Sequence, residues 1–189
     1  MFSYKILIFL LIKGGDLYDK ISALKQGELF PESQILDWFS QLVSAVQHVH
    51  EKKIIHRDLK SKNVFLTTSN TIKLGDFGIA RILRTTNEKA KTMVGTPYYL
   101  SPEVIEGKAY TSKTDIWSLG VILYELCCLK PPFNAQNIHA LGYKITKGSY
   151  ANLPNKYSSE IKKLVALLLQ IDPAKRPNAI EILSNFLNI

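Results

Sequence analysis

The chain has 189 residues, 46% of them hydrophobic and 21% charged, with a formal net charge of +8. That is long enough for one domain with a sizeable core, and too apolar for a disordered chain. The basic residues are scattered, with no run of five or more, so the charge balance excludes a dedicated nucleic-acid module as the expected reading.

In chain order, residues 1–13 carry the apolar run Ile6-Leu7-Ile8-Phe9-Leu10-Leu11-Ile12. The run is too short to span a bilayer and no small-x-small cleavage site follows it. It reads as a buried strand that ends at Gly14-Gly15, itself a turn rather than a phosphate cradle. Residues 16–25 make a short helix. Pro31-Glu32 opens a long one, with Pro31 in its first turn. Ile35, Phe39, Leu42, Val46 and Val49 fall on one stripe of it, at spacings of four, three, four and three.

Ile54-Ile55 is expected as a short strand, and Val64-Phe65-Leu66 and Ile72-Lys73-Leu74 as a hairpin around Thr68-Ser69-Asn70. Residues 113–129 are apolar on nearly every face, the mark of a buried central helix, and Pro131-Pro132 ends it. Amphipathic segments follow at 138–146, 159–169 and 179–187, the last with Asn178 as N-cap and Glu181 three residues on. Cys127 and Cys128 are adjacent, and neighbours on a helix point about 100° apart, so they are expected as core thiols of a reducing compartment rather than a disulfide. Neither stands at metal-ligand spacing. No repeat or linker interrupts the chain, which reads as one domain.

Two short motifs carry chemistry. Residues 56–63 read His-Arg-Asp-Leu-Lys-Ser-Lys-Asn, and residues 76–78 read Asp-Phe-Gly, with Asp76 18 positions after Asp58. Moving a phosphoryl group demands little covalent chemistry: two reactants in line, and charge neutralised as it develops. Asp58 is the acceptor for the attacking hydroxyl's proton, and Lys60 a cation for the transferred group. Asn63 and Asp76 offer the hard oxygen ligands that Mg2+ prefers. His56 is expected to be structural, packed against Phe77. His48, His50 and His139 read as ordinary helix residues. Asp115 is either a first-turn carboxylate favoured by the helix dipole or a partner for the backbone of the His-Arg-Asp loop.

These motifs, with GTPYYLSPE (95–103), DIWSLGV (115–121), KPPF (130–133) and DPAKRP (172–177), resemble the large lobe of a eukaryotic Ser/Thr protein kinase. GDFGIAR (75–81) and Tyr98-Tyr99-Leu100-Ser101-Pro102-Glu103 are more closely similar to the NIMA-related kinases. The resemblance implies a protein-kinase-like α+β fold: a mostly helical large lobe at 14–189, a short hairpin by the catalytic loop, and 1–13 as the hinge strand of a small β lobe otherwise absent. It implies ATP and Mg2+, protein substrates with Ser or Thr acceptors, no nucleic-acid or membrane partner, and a cytoplasmic setting, with cytoskeletal or ciliary association suggested by the family.

Residue by residue, it places Leu10, Ile12, Asp16, Phe65 and Lys60 against the nucleotide, with Phe65 under the adenine. Thr96 would contact Asp58 and Lys60. Arg57, with the basic Arg81, Arg84, Lys89 and Lys91, would grip a phosphate near Thr92. Gly78 is structural, Glu103 would pair with Arg176, and the resemblance favours the loop-binding reading of Asp115. A kinase acting on small molecules is disfavoured by the peptide-docking segment GTPYYLSPE. The sequence departs from the family in one respect: it contains neither Gly-x-Gly-x-x-Gly nor Val-Ala-x-Lys. The alternative expectation is therefore a truncated, inactive kinase fragment that acts only as a protein-binding module.

Overall fold

The computed structural model of the chain describes residues 14–75 and 97–187. Its elements, in order, are α1 (Leu17–Ser22), α2 (Glu32–Glu51), a 3-10 turn (Ser61–Asn63), β1 (Val64–Leu66), β2 (Ile72–Leu74), α3 (Pro102–Ile105), α4 (Ser112–Cys128), α5 (Ile138–Lys147), α6 (Ser159–Leu168), a second 3-10 turn (Pro173–Lys175) and α7 (Ala179–Ile182). Helices dominate, and the described strands form one antiparallel pair with Val64 opposite Leu74 and Leu66 opposite Ile72. This is the mostly helical α+β architecture that the motifs imply.

The core is organised around α4. From Thr114 to Cys127 every residue of that helix is buried. Helix α2 packs on one side of it and α6 on another. The expected stripe of α2 is buried throughout, and Trp38 and Val43 widen it. Each such side chain contributes about 1.5–3 kcal/mol on burial. Contact with α6 needs Gly120: a Cβ there would lie 2.8 Å from Cβ of Leu168 and 2.9 Å from Cδ2 of Leu169. Trp117 stacks on Phe133 at 5.6 Å, and Tyr150 meets Phe133 and Tyr124 edge-on.

Several boundaries differ from the sequence reading. Pro31 is the N-cap rather than part of the first turn, with φ −58° and ψ 141°. Its carbonyl accepts from Gln34 and Ile35, a role that needs no N–H from proline. Ile54-Ile55 forms no strand, and Ile54 is 40% exposed. The chain there runs between two left-handed residues, Lys53 at φ 57° and Arg57 at φ 70°, which leaves no extended stretch for a partner to pair with. Helix α4 stops before the prolines, at Leu129 with φ 57°, whose N–H returns to the Glu125 carbonyl at 2.7 Å. The last segment is α-helical only to Ile182, then widens to a π turn over Leu183–Leu187. Its start is as expected: Asn178 and Glu181 cap one another, at 2.7 and 2.9 Å. Cys127 and Cys128 are free thiols. No helix among the described residues is long and apolar enough to cross a membrane.

Candidate active site

The loop between α2 and β1 is fixed from beneath by one carboxylate. Asp115, 1% exposed at the start of α4, accepts from the backbone N–H of His56 at 2.9 Å and of Arg57 at 3.0 Å. Its third partner is Nε2 of His50, at 2.8 Å. Those bonds hold Arg57 in the left-handed region at φ 70°, a strained geometry for a residue with a side chain. The bend delivers Asp58 to the surface directly after it. His56 is buried, with Nε2 3.3 Å from the carbonyl of Gly75, so it ties the loop to the end of β2.

Three polar side chains meet at Asp58. Nζ of Lys60 donates to its Oδ2 at 2.7 Å. Nδ2 of Asn63 donates to the same Oδ2 at 2.9 Å and to the Asp58 carbonyl at 2.8 Å. Two consequences follow. Asp58 is half-exposed, and its Oδ1 makes no hydrogen bond among the described residues. The amide of Asn63 spends Nδ2 on Asp58, so its carbonyl oxygen is the atom that would serve as a hard ligand for a cation. No cluster of three or more metal-ligating His, Cys, Asp or Glu occurs among the described residues. Asp76, the second expected Mg2+ ligand, lies outside them.

On the side where the nucleotide is expected, residues 14–16 pair with β1. Gly14 N–H donates to the Leu66 carbonyl at 3.0 Å, Leu66 N–H to that of Gly15 at 2.9 Å, and Asp16 bridges to Phe65. Gly14 lies in a turn, as expected, with Gly15 at φ 76°, and these bonds tie that turn to β1. A Cβ on Gly14 would meet the Leu66 carbonyl oxygen at 2.6 Å. The structure thus brings Asp16 and Phe65 together; Asp16 spends one oxygen capping α1 through Asp19 N–H at 2.8 Å. Leu10, Ile12, Phe77, Gly78, Thr92 and Thr96 lie outside the described residues, as do Arg81, Arg84, Lys89 and Lys91.

Two interactions link the loop to the rest of the lobe. Glu103 and Arg176 form a bidentate pair at 2.8 and 2.8 Å, with Arg176 1% exposed. The other guanidinium donors go to the carbonyls of Gln170 (2.8 Å), Lys113 (2.8 Å) and Ile171 (3.1 Å), so all five N–H groups are used. Its plane lies 4.9 Å over Trp117. Burial pushes the Glu103 carboxyl up more than any other single cause, but the hydrogen bonds and charge of Arg176, with backbone and Ser101 donors, together hold it below the ordinary carboxylate value.

The second link was not anticipated. The Tyr99 hydroxyl donates to Glu125 of α4 and sits 2.9 Å from Oγ and 3.2 Å from the N–H of Ser61. Burial raises the Glu125 carboxyl to about 6, against the pull of Tyr99 and Ser61. A carboxylate inside a helix that is apolar on every face was the available signal, since such a group must find a partner. The raised value has a testable sign. The folded state holds the Glu125 proton above the ordinary 4.5, so this group's contribution is complete below that pH and fades as pH rises through about 6. Glu125→Gln should therefore gain about 2 kcal/mol relative to the parent on going from pH 4.5 to pH 7.5, read from urea unfolding at both. An unchanged difference would contradict the buried, proton-holding state.

His50 was read as an ordinary helix residue, and the structure corrects that. Nothing in the spacing of α2 predicts a bond to a residue 65 positions away. His50→Leu leaves Asp115 short of a donor, and should cost about 1–3 kcal/mol in unfolding free energy. His48 is exposed and remains an ordinary surface residue.

A buried carboxylate clamping a strained loop, with an aspartate, a lysine and an asparagine converging above it, is an arrangement suited to phosphoryl transfer. A family model for the protein kinase domain matches residues 2–187, and the chain belongs to that family. Its relatives place it among the NIMA-related members. It is 52% identical to serine/threonine-protein kinase Nek1 of Mus musculus over 90% of the chain and 14% of that protein. It is 47% identical to Nek4 of Mus musculus and 48% identical to Nek5 of Homo sapiens, each over 90% of the chain, covering 22% and 24% of those proteins. The chain thus spans a quarter or less of these relatives.

Proposed function

We propose that the chain supplies the catalytic large lobe of an ATP- and Mg2+-dependent serine/threonine protein kinase of the NIMA-related type. The observation that carries this reading is the convergence of Lys60 and Asn63 on Oδ2 of Asp58, with Oδ1 taking no bond among the described residues. The acceptor hydroxyl of a protein substrate would donate to that Oδ1 and pass its proton there as its oxygen bonds the γ-phosphorus and the bond from that phosphorus to the bridging oxygen breaks, releasing ADP. Lys60, already beside Asp58, stands on the side of the transferred group and offsets its charge. Asn63 and Asp76 would hold Mg2+, which neutralises the triphosphate when bound. Phe65 and Asp16, joined across the β bridge, would meet the base and sugar, with Leu10 and Ile12 completing that side. Thr96 would steady Asp58 and Lys60, and Arg57 would meet a phosphate near Thr92. The free thiols suit a cytoplasmic protein.

Calorimetry of ATP binding with and without Mg2+ tests this. Binding that needs Mg2+ and is lost in Asp76→Ala and Asn63→Ala supports the reading. No binding by a demonstrably folded chain would contradict it and leave a protein-binding module.

A further inference from the structure

Beside Asp58 opens a groove of about 710 Å³, lined by Tyr18 of α1, the loop from Arg57 to Lys62, the segment Pro97 to Leu100, and Lys130 and Asn134 beyond α4. Its described charged residues are Arg57, Asp58, Lys60, Lys62, Glu125 and Lys130. The two carboxylates are already used. Asp58 is bonded to Lys60 at 2.7 Å, and Glu125 is buried and takes the Tyr99 hydroxyl. Lys62 and Lys130 form no ion pair among the described residues, and both are exposed.

The 3-10 turn explains why Lys62 faces this groove. Ser61 and Asn63 turn inward and are buried, bound to Tyr99 and Asp58, which forces the side chain between them outward. Its ammonium rests 4.4 Å from the centroid of the Tyr18 ring. That contact limits the freedom of the lysine while leaving its donors unspent, so little ordering remains to be lost when an anion arrives. A groove with surplus positive charge also concentrates anionic ligands at its mouth.

We infer, resting on the kinase reading above, that this groove selects peptides with a carboxylate or phosphate near the Ser or Thr acceptor, and that Lys62, backed by Lys130, is the residue that reads it. A basic side chain at the same peptide position meets repulsion from both lysines and is discriminated against.

Anisotropy of labelled peptides binding the 189-residue chain tests this. Each peptide carries one Ser or Thr and, at a flanking position scanned along it, a neutral residue, Glu, phosphoserine or Arg. The Glu peptide should bind roughly threefold to fivefold tighter than the neutral one at its best position, with the advantage shrinking in salt. Phosphoserine binding well above Glu at that position makes a previously phosphorylated site the preferred source; equal binding makes it an acidic sequence. Lys62→Glu should reverse the order to favour Arg, and Lys130→Glu should weaken the preference independently. Equal binding of all four peptides, an acidic preference that survives Lys62→Glu, or displacement by a short oligonucleotide as effective as the Glu peptide would overturn the inference. Transfer to the neutral peptide is assayed in parallel. Selectivity by the chain, with no transfer even when it is joined to the N-terminal lobe of a NIMA-related relative, removes the kinase reading and keeps the groove's preference; transfer without selectivity does the reverse.

Discussion

Asp58→Asn should lower the rate of phosphate transfer by about 10²–10⁴-fold and leave the fold intact. The substitution keeps the size of the side chain, and an amide oxygen still accepts from Lys60 and Asn63. What it removes is an anionic oxygen able to take the acceptor's proton. Asp58 is half-exposed and the amide oxygen keeps an acceptor for buried Asn63, so the unfolding midpoint should move little. The measurement is kcat/KM for a Ser/Thr peptide beside a urea titration of each protein. A variant that keeps transfer within a few-fold would place the proton acceptor elsewhere. A variant that loses transfer and stability together would make Asp58 a structural residue.

The largest stability effect is expected at Arg176. Arg176→Met leaves Glu103, 5% exposed, with a buried charge and without its guanidinium, though Thr114 Oγ1 still donates at 3.1 Å. It also orphans three carbonyls that the guanidinium now satisfies. The expected cost is about 3–5 kcal/mol in urea unfolding, a large part of the total stability of an ordinary domain. Replacing Glu103 by Leu in the same chain should recover part of it, because the unpaired charge then disappears while the orphaned carbonyls remain. Acidification acts on the same pair. The Glu103 carboxyl lies below its ordinary 4.5 in the folded state, so the pair's contribution is present above that pH and is lost as pH falls through the lower, folded value. A cost under about 1 kcal/mol for Arg176→Met would mean the pair is no keystone.

The parts of the fold that were legible in the sequence are those set by local periodicity and turn chemistry. The stripe of α2, the all-round apolar pattern of α4, the hairpin 64–74 and the Asn178–Glu181 cap each follow from side chains a few positions apart. Ile54-Ile55 misled because two β-branched residues carry a strand propensity that the flanking left-handed turns override. The π turn at Leu183–Leu187 likewise has no local signature, since only packing distinguishes it from a continued helix.

The site divides in the same way. Asp58, Lys60 and Asn63 stand within one short motif, so their meeting could be read directly. The Glu103–Arg176 pair, 73 positions apart, was reached only through resemblance, as was the role of Asp115. Tyr99, Glu125 and His50 were missed because their partners come from other elements, brought together by the burial of α4. Lys62 escaped notice for the opposite reason: an exposed lysine acquires meaning only when its neighbours are seen to be neutralised.

The most direct test of the central claim is transfer of phosphate from Mg2+-ATP to a Ser/Thr peptide, by the chain alone and by the chain joined to the N-terminal lobe of a NIMA-related relative. The account predicts transfer from the joined protein that is abolished by Asp58→Asn and by Asp76→Ala. A joined protein that folds and binds Mg2+-ATP yet transfers nothing would contradict it.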